Sequence, residues 1–142
     1  MKEKTLRSKL LIFGILFFAM TTGSVIVSAD TRAISSDSLN VGGTNVDIIS
    51  VTGEKMASGT TAADYYNPDI TASVSAIYSS IDPSIMSSLP QDGFNQGTSS
   101  AVVSFLAPEN HVTNWISCYH RAKKGNYYDE YGNTMAYYYW DT

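Results

Sequence analysis

The chain has 142 residues, thirteen acidic side chains against nine Lys and Arg, and a single Cys. That length suffices for one domain with a modest core. The acidic balance argues against nucleic acid as a partner, and one Cys excludes a disulfide framework within the chain.

Lys2, Lys4, Arg7 and Lys9 precede an apolar run, Leu10 to Met20, and the chain then reaches Val27-Ser28-Ala29. A basic stretch, an apolar stretch and residues of the kind signal peptidase accepts make up a secretory signal peptide. The reading places it over residues 1–29, cut between Ala29 and Asp30. Thr21, Thr22, Gly23 and Ser24 weaken the second half of the run as a membrane span. No Cys follows the run directly, and no Leu-Pro-x-Thr-Gly motif is present. The expected product is therefore secreted and free outside the cell, meeting the membrane only during export. Residues 30–142 would carry twelve acids and five bases, a net charge of −7.

From Asp30 to Gly97 the chain is acidic and rich in Ser, Thr, Ala and Gly, and it reads as a pro-region or a second layer. Val46 to Val51 suits a short strand, and Glu54 to Thr61 reads as loop. Asp69 to Ile81 has two readings. Ile70, Val74, Ile77, Tyr78 and Ile81 share a helical face with Asp69 as N-cap, while Ile70, Ala72, Val74, Ala76 and Tyr78 alternate as in a strand. Helix is the favoured expectation. Asp82-Pro83 then resembles a second helix start leading Ile85, Met86 and Leu89. Gln91 to Ser99 has turn and linker chemistry.

The last 45 residues, 98–142, hold both Trp, both His, the Cys and seven of the ten Tyr. Aromatic side chains concentrated in this way mark a core or a contact surface. Strands are expected over Ser100–Leu106, Val112–Arg121 and Met135–Trp140, with a turn at Lys123-Lys124-Gly125-Asn126 and a Tyr-rich loop over Tyr127–Asn133. Alternation puts Val112, Asn114, Ile116, Cys118 and His120 on one face, and Thr113, Trp115, Ser117, Tyr119 and Arg121 on the other. The expected fold class is mainly β, a small antiparallel meander or β-sandwich module at the C-terminus, preceded by short helices.

The ending Gly132-Asn133-Thr134-Met135-Ala136-Tyr137-Tyr138-Tyr139-Trp140 resembles the close of lactococcin 972 family bacteriocins. Trp115-Ile116-Ser117 and Ser99-Ser100-Ala101-Val102-Val103 are similar to that family's upstream segments. The resemblance covers residues 98–142. The longer acidic Ser/Thr region and Cys118 depart from the family pattern. The resemblance implies a secreted β-sandwich that inhibits related bacteria at the cell envelope by interfering with wall synthesis, without enzymatic cleavage. No catalytic residue carries over, and the transferable feature is the aromatic strand Ala136–Trp140.

Cys118, His120 and His111 invite a Cys–His nucleophile reading, but no Gly-rich turn beside the Cys would form an oxyanion hole. Cys118 reads instead as a half-buried core residue, with a disulfide between two copies, and hence an oligomer, as the alternative. A zinc site from Glu109, His111, Cys118 and His120 matches no ligand spacing, so no metal or cofactor is expected. Asp129-Glu130 lacks the opposed placement of a glycosidase pair. Asp64 and Asp69, around Tyr65-Tyr66, read as turn residues.

Arg121, Lys123 and Lys124 followed by Tyr127, Tyr128 and Tyr131 mix charge with rings. Tyr stacks on sugars while Lys and Arg meet phosphate, which suits a wall precursor. The favoured reading of residues 121–131, however, is a solvated turn with its Tyr rings packed across the sheet edge. The candidate binding residues are Trp115, Tyr119, Arg121, Lys123, Lys124, Tyr127, Tyr128, Tyr137, Tyr138, Tyr139 and Trp140. The function expected is a bacteriocin-like protein acting at the envelope of related bacteria. The alternative is an extracellular binding or adhesion module that does not kill.

Overall fold

Strands build almost the whole chain from residue 31 to residue 137, and alternation of inward apolar with outward polar residues is clearest over Ile70–Asp82 and Val112–Lys124. The computed structural model of the protein describes residues 31–139, with side chains from Ala33 onward. The expected signal peptide, its cleavage site at Ala29-Asp30, and Trp140 lie outside the described residues.

Eight strands follow in chain order: β1 (Thr31–Val41), β2 (Thr44–Gly53), β3 (Met56–Ala63), β4 (Ile70–Asp82), β5 (Ser87–Thr98), β6 (Ser100–Leu106), β7 (Val112–Lys124) and β8 (Tyr128–Tyr137). They form two antiparallel four-stranded sheets, ordered β1-β2-β3-β6 and β5-β4-β7-β8. The sheets stack face to face as a β-sandwich. Residues before Gly97 supply β1 to β4 and most of β5, and so contribute strands to both sheets.

Several expectations are corrected. Asp69–Ile81 is not a helix but most of β4, paired with β5 on one side and β7 on the other. Ile70, Val74 and Tyr78 fit both periods, being four apart, so they could not discriminate. Ile77 does: it is exposed on the outer face, while Ala72 and Ala76 are buried. Asp82-Pro83 opens a turn, not a helix. Asp82 Oδ1 accepts from the Ser84 amide at 2.9 Å and from Ser84 Oγ at 2.6 Å, the bonds an N-cap would make, but the chain reverses at Met86 (φ 54°) into β5.

The stretch read as linker, Gln91–Ser99, is most of edge strand β5. Its Gly93 faces inward where a Cβ would stand 2.8 Å from Val103 Cγ2 and 2.9 Å from Phe105 Cζ, so the glycine reflects close sheet contact. The stretch read as loop, Glu54–Thr61, is largely β3, made of small residues that are all buried. The three-strand meander is also corrected. β6 pairs with β3, whereas β7 pairs with β4 and β8 in the opposite sheet. The Tyr127–Asn133 loop and the strand Met135–Trp140 are one strand, β8, which ends at Tyr137.

The chain crosses between sheets at Ser99 (φ 67°). Its amide donates to Ile70 O of one sheet at 2.7 Å, and its carbonyl accepts from Ala63 N of the other at 2.9 Å. Its hydroxyl accepts from Asn67 N at 3.0 Å and donates to Tyr65 O at 3.3 Å. These bonds hold a positive φ that a Ser would otherwise avoid.

The core has two apolar clusters. One surrounds Tyr78, which stacks on Phe105 at 5.1 Å, with Val74, Ile116 and Ala57. The other gathers Val41, Val46, Ile70 and Ala122.

Candidate functional site

β7 runs through the centre of its sheet, so its two faces see different worlds. A bulge at Asn114, where Ser79 opposes Trp115 but Ser80 opposes Thr113, resets the alternation. Thr113 therefore faces the core, contrary to the face assigned from alternation, while Ile116, Cys118 and His120 point inward as expected.

The inward side carries a buried polar chain. His120 Nδ1 lies 2.9 Å from Thr61 Oγ1, and Nε2 lies 2.6 Å from Thr134 Oγ1. Thr134 bonds Ser50, and Ser50 bonds Cys118. The proton positions follow from one fixed point. Thr61 donates its only hydroxyl proton to Ser73 O at 2.9 Å, so it must accept from Nδ1–H. Nε2 then accepts from Thr134, and Thr134 from Ser50, whose oxygen lies beside the Cys118 sulfur. Every member is satisfied, as buried polar groups must be.

Burial pulls His120 down to about 4 and pushes the Cys118 thiol up to about 11. Both are neutral near pH 7. Cys118 is fully buried, not half-buried, and a Cβ on Gly59 would stand 2.3 Å from its sulfur. The thiol reaches His120 only through two hydroxyls, which is no nucleophile–base pair. A disulfide between copies would require the sandwich to open. Among the described residues no group of three or more His, Cys, Asp or Glu is placed to hold a metal ion.

The His120 shift makes stability acid-sensitive. Its folded value lies below the unfolded one, so the unfolded chain binds the extra proton. The contribution is fully present above about pH 6.5 and is lost as pH falls towards 4, about 3 kcal/mol in all. Asp47, raised by burial and by Asp64, opposes this only at the lower end. Asp129 adds its own loss below that window, as pH falls from about 3.8 through about 2. Urea midpoints from pH 7 to 4.5 should fall for the wild type and stay nearly flat for His120→Gln. An equal slope in both would contradict the assignment.

The outward side of the same sheet is aromatic. Trp115, Tyr119, Arg121 and Lys123 of β7 oppose Tyr137, Asn133, Tyr131 and Asp129 of β8 in register. β4 and β5 extend this face with Ile77 and Phe94. Phe94, Tyr119, Tyr131 and Tyr137 are all more than 40% exposed. That is a large ring area for one side of a sheet. Tyr119 and Tyr131 are 5.7 Å apart, and Tyr137 stacks with Tyr139 at 6.3 Å.

Arg121 is not a free anion receptor. Its Nε and Nη2 donate to the two Asp129 oxygens at 2.8 and 2.6 Å, and its guanidinium lies 5.3 Å from the Tyr131 ring centroid. These bonds, with one from the Tyr131 hydroxyl, hold the Asp129 carboxyl down to about 2.

Of the residues picked from sequence, Trp115, Tyr119, Arg121, Lys123 and Tyr137 share this face, and Tyr139 continues it. Three are displaced from it. Tyr138 is buried. Lys124 turns to the end of the sandwich, where its Nζ donates to Gly42 O at 3.0 Å and Thr44 Oγ1 at 3.2 Å. Tyr128 packs beside Gly42 there. Tyr127 stands alone at the β7–β8 turn, almost wholly exposed. Phe94, Ile77 and Met135 were missed. Alternation of Asp92, Phe94, Gln96 and Thr98 was the available signal, obscured by Gly93 and Gly97.

No family model, curated protein or solved structure matches the chain.

Proposed function

We propose that this chain is a secreted, bacteriocin-like protein that binds at the cell envelope of related bacteria through the outer face of sheet β5-β4-β7-β8 and interferes there with cell-wall synthesis. The observation carrying this reading is that open face, with four well-exposed rings and Trp115 on neighbouring strands of a rigid sheet. Tyr and Trp fixed on strands give large contact area at low ordering cost, as binding surfaces require. The antibacterial part of the reading rests on the resemblance of residues 98–142 to lactococcin 972 family bacteriocins.

Purified residues 30–142 spotted on lawns of related bacteria should give clear zones. A variant with Tyr119→Ala and Phe94→Ala should give none while retaining the wild-type melt. Firm wall binding without killing across a broad panel would replace the inhibitor by an adhesion module. Equal killing by the double variant would move the activity away from this face.

A further inference from the structure

The outer face of sheet β5-β4-β7-β8 is not evenly aromatic. The outward residues of β4 include Thr71, Ser73 and Ser75, all small and hydroxylated. Ser75 is flanked in register by Phe94 of β5 and Tyr119 of β7. Adjacent strands lie about 4.8 Å apart, so the rings rise on both sides of a floor about 10 Å wide. Side-chain size alone makes Thr71 to Ser75 the bottom of a short, shallow trough, closed at one end by the exposed Ile77.

We propose, building on the envelope-binding reading above, that this trough takes an uncharged glycan chain laid along β4. Ring walls suit the C–H faces of sugars, and floor hydroxyls suit their O–H groups as both donors and acceptors. The charges on this face balance, two cations against two carboxylates. Arg121 is paired with Asp129 by two hydrogen bonds, so its charge is offset on this face. Lys123 on β7 and Asp92 on β5 offset one another in turn, so the face offers an anion no net charge.

The test uses purified protein with sacculi freed of teichoic acids, N-acetylglucosamine hexamer as competitor, and vesicles carrying a pyrophosphate-linked disaccharide. The protein should sediment with the sacculi and be displaced by the hexamer. Retention should change less than about twofold between about 0.05 and 0.5 M salt, since no net charge is matched. Phe94→Ala and Tyr119→Ala should each weaken retention about fivefold to tenfold. Ser75→Tyr should fill the trough and abolish retention with the melt preserved, whereas Ser75→Thr should bind as wild type. Should Ser75→Tyr not fold, Phe94→Ala on the exposed edge strand still decides. Retention on the vesicles alone, lost at high salt, overturns the glycan assignment and leaves envelope binding standing. Retention on neither overturns both.

Discussion

Residues 98–142 expressed alone are expected not to fold, although they contain most of the aromatic side chains. β6 would lose β3, its one neighbour in the sheet among the described residues, and β7 would lose β4. Tyr78, Val74, Ile70 and Val46, the side chains those strands pack against, would be gone with them. What remains is one hairpin and one unpaired strand, below what is stable in water. Circular dichroism of the fragment should lack a cooperative thermal transition that residues 30–142 display. A cooperative melt from the fragment would show that the aromatic third is self-sufficient. The same reasoning predicts that the active product keeps the acidic region.

Tyr78→Ala should be among the most damaging single substitutions, costing about 3–5 kcal/mol. Tyr78 has no exposed surface and stacks nearly parallel on Phe105, at 10°. Its removal leaves a void between the two sheets that cannot collapse without moving them. The loss is comparable with the whole stability of many small domains, about 5–15 kcal/mol. Tyr78→Phe removes only the hydroxyl, which bonds Thr113 Oγ1 at 3.3 Å, and should cost about 1 kcal/mol. Urea unfolding of the two variants separates packing from hydrogen bonding. Similar losses would place the energy in the hydroxyl.

The C-terminal strands are legible because β-branched and aromatic residues are frequent in β6 and alternate along β7 from Trp115 to Arg121. β6 and most of β7 fall where the pattern put them. The N-terminal strands were hidden for three physical reasons. β3 uses Ala, Ser, Gly and Thr, because a central strand beneath large facing side chains has no room for more, and such a composition looks like loop. β4 carries apolar residues four apart, a spacing common to both periods, and only the exposure of Ile77 separates them. β5 is an edge strand with one solvated face and inward glycines, so its alternation shows few apolar residues.

The candidate site divides in the same way. Residues of β7 were placed on the correct face from Ile116 to Arg121, since a strand's period is two. Lys124, Tyr128 and Tyr138 went astray for a different reason. They follow the same alternation onto the inner side, but they were chosen for their chemistry and not for their phase. The neutralisation of Arg121 by Asp129 needed the β7–β8 register, which fixes Arg121 opposite Tyr131 and beside Asp129. The hydroxyls that complete the His120 chain come from β2, β3 and β8, so no local spacing announces them.

Hydroxyl-radical footprinting of the protein on bacterial cells tests the contact face most directly. Tyr65 and Tyr66, exposed on the β3–β4 connection, serve as internal controls. On binding, Phe94, Tyr119, Tyr131 and Tyr137 should become protected while Tyr65 and Tyr66 label as in the free protein. Protection of Tyr65 and Tyr66 with the sheet face still fully labelled would place the contact surface elsewhere.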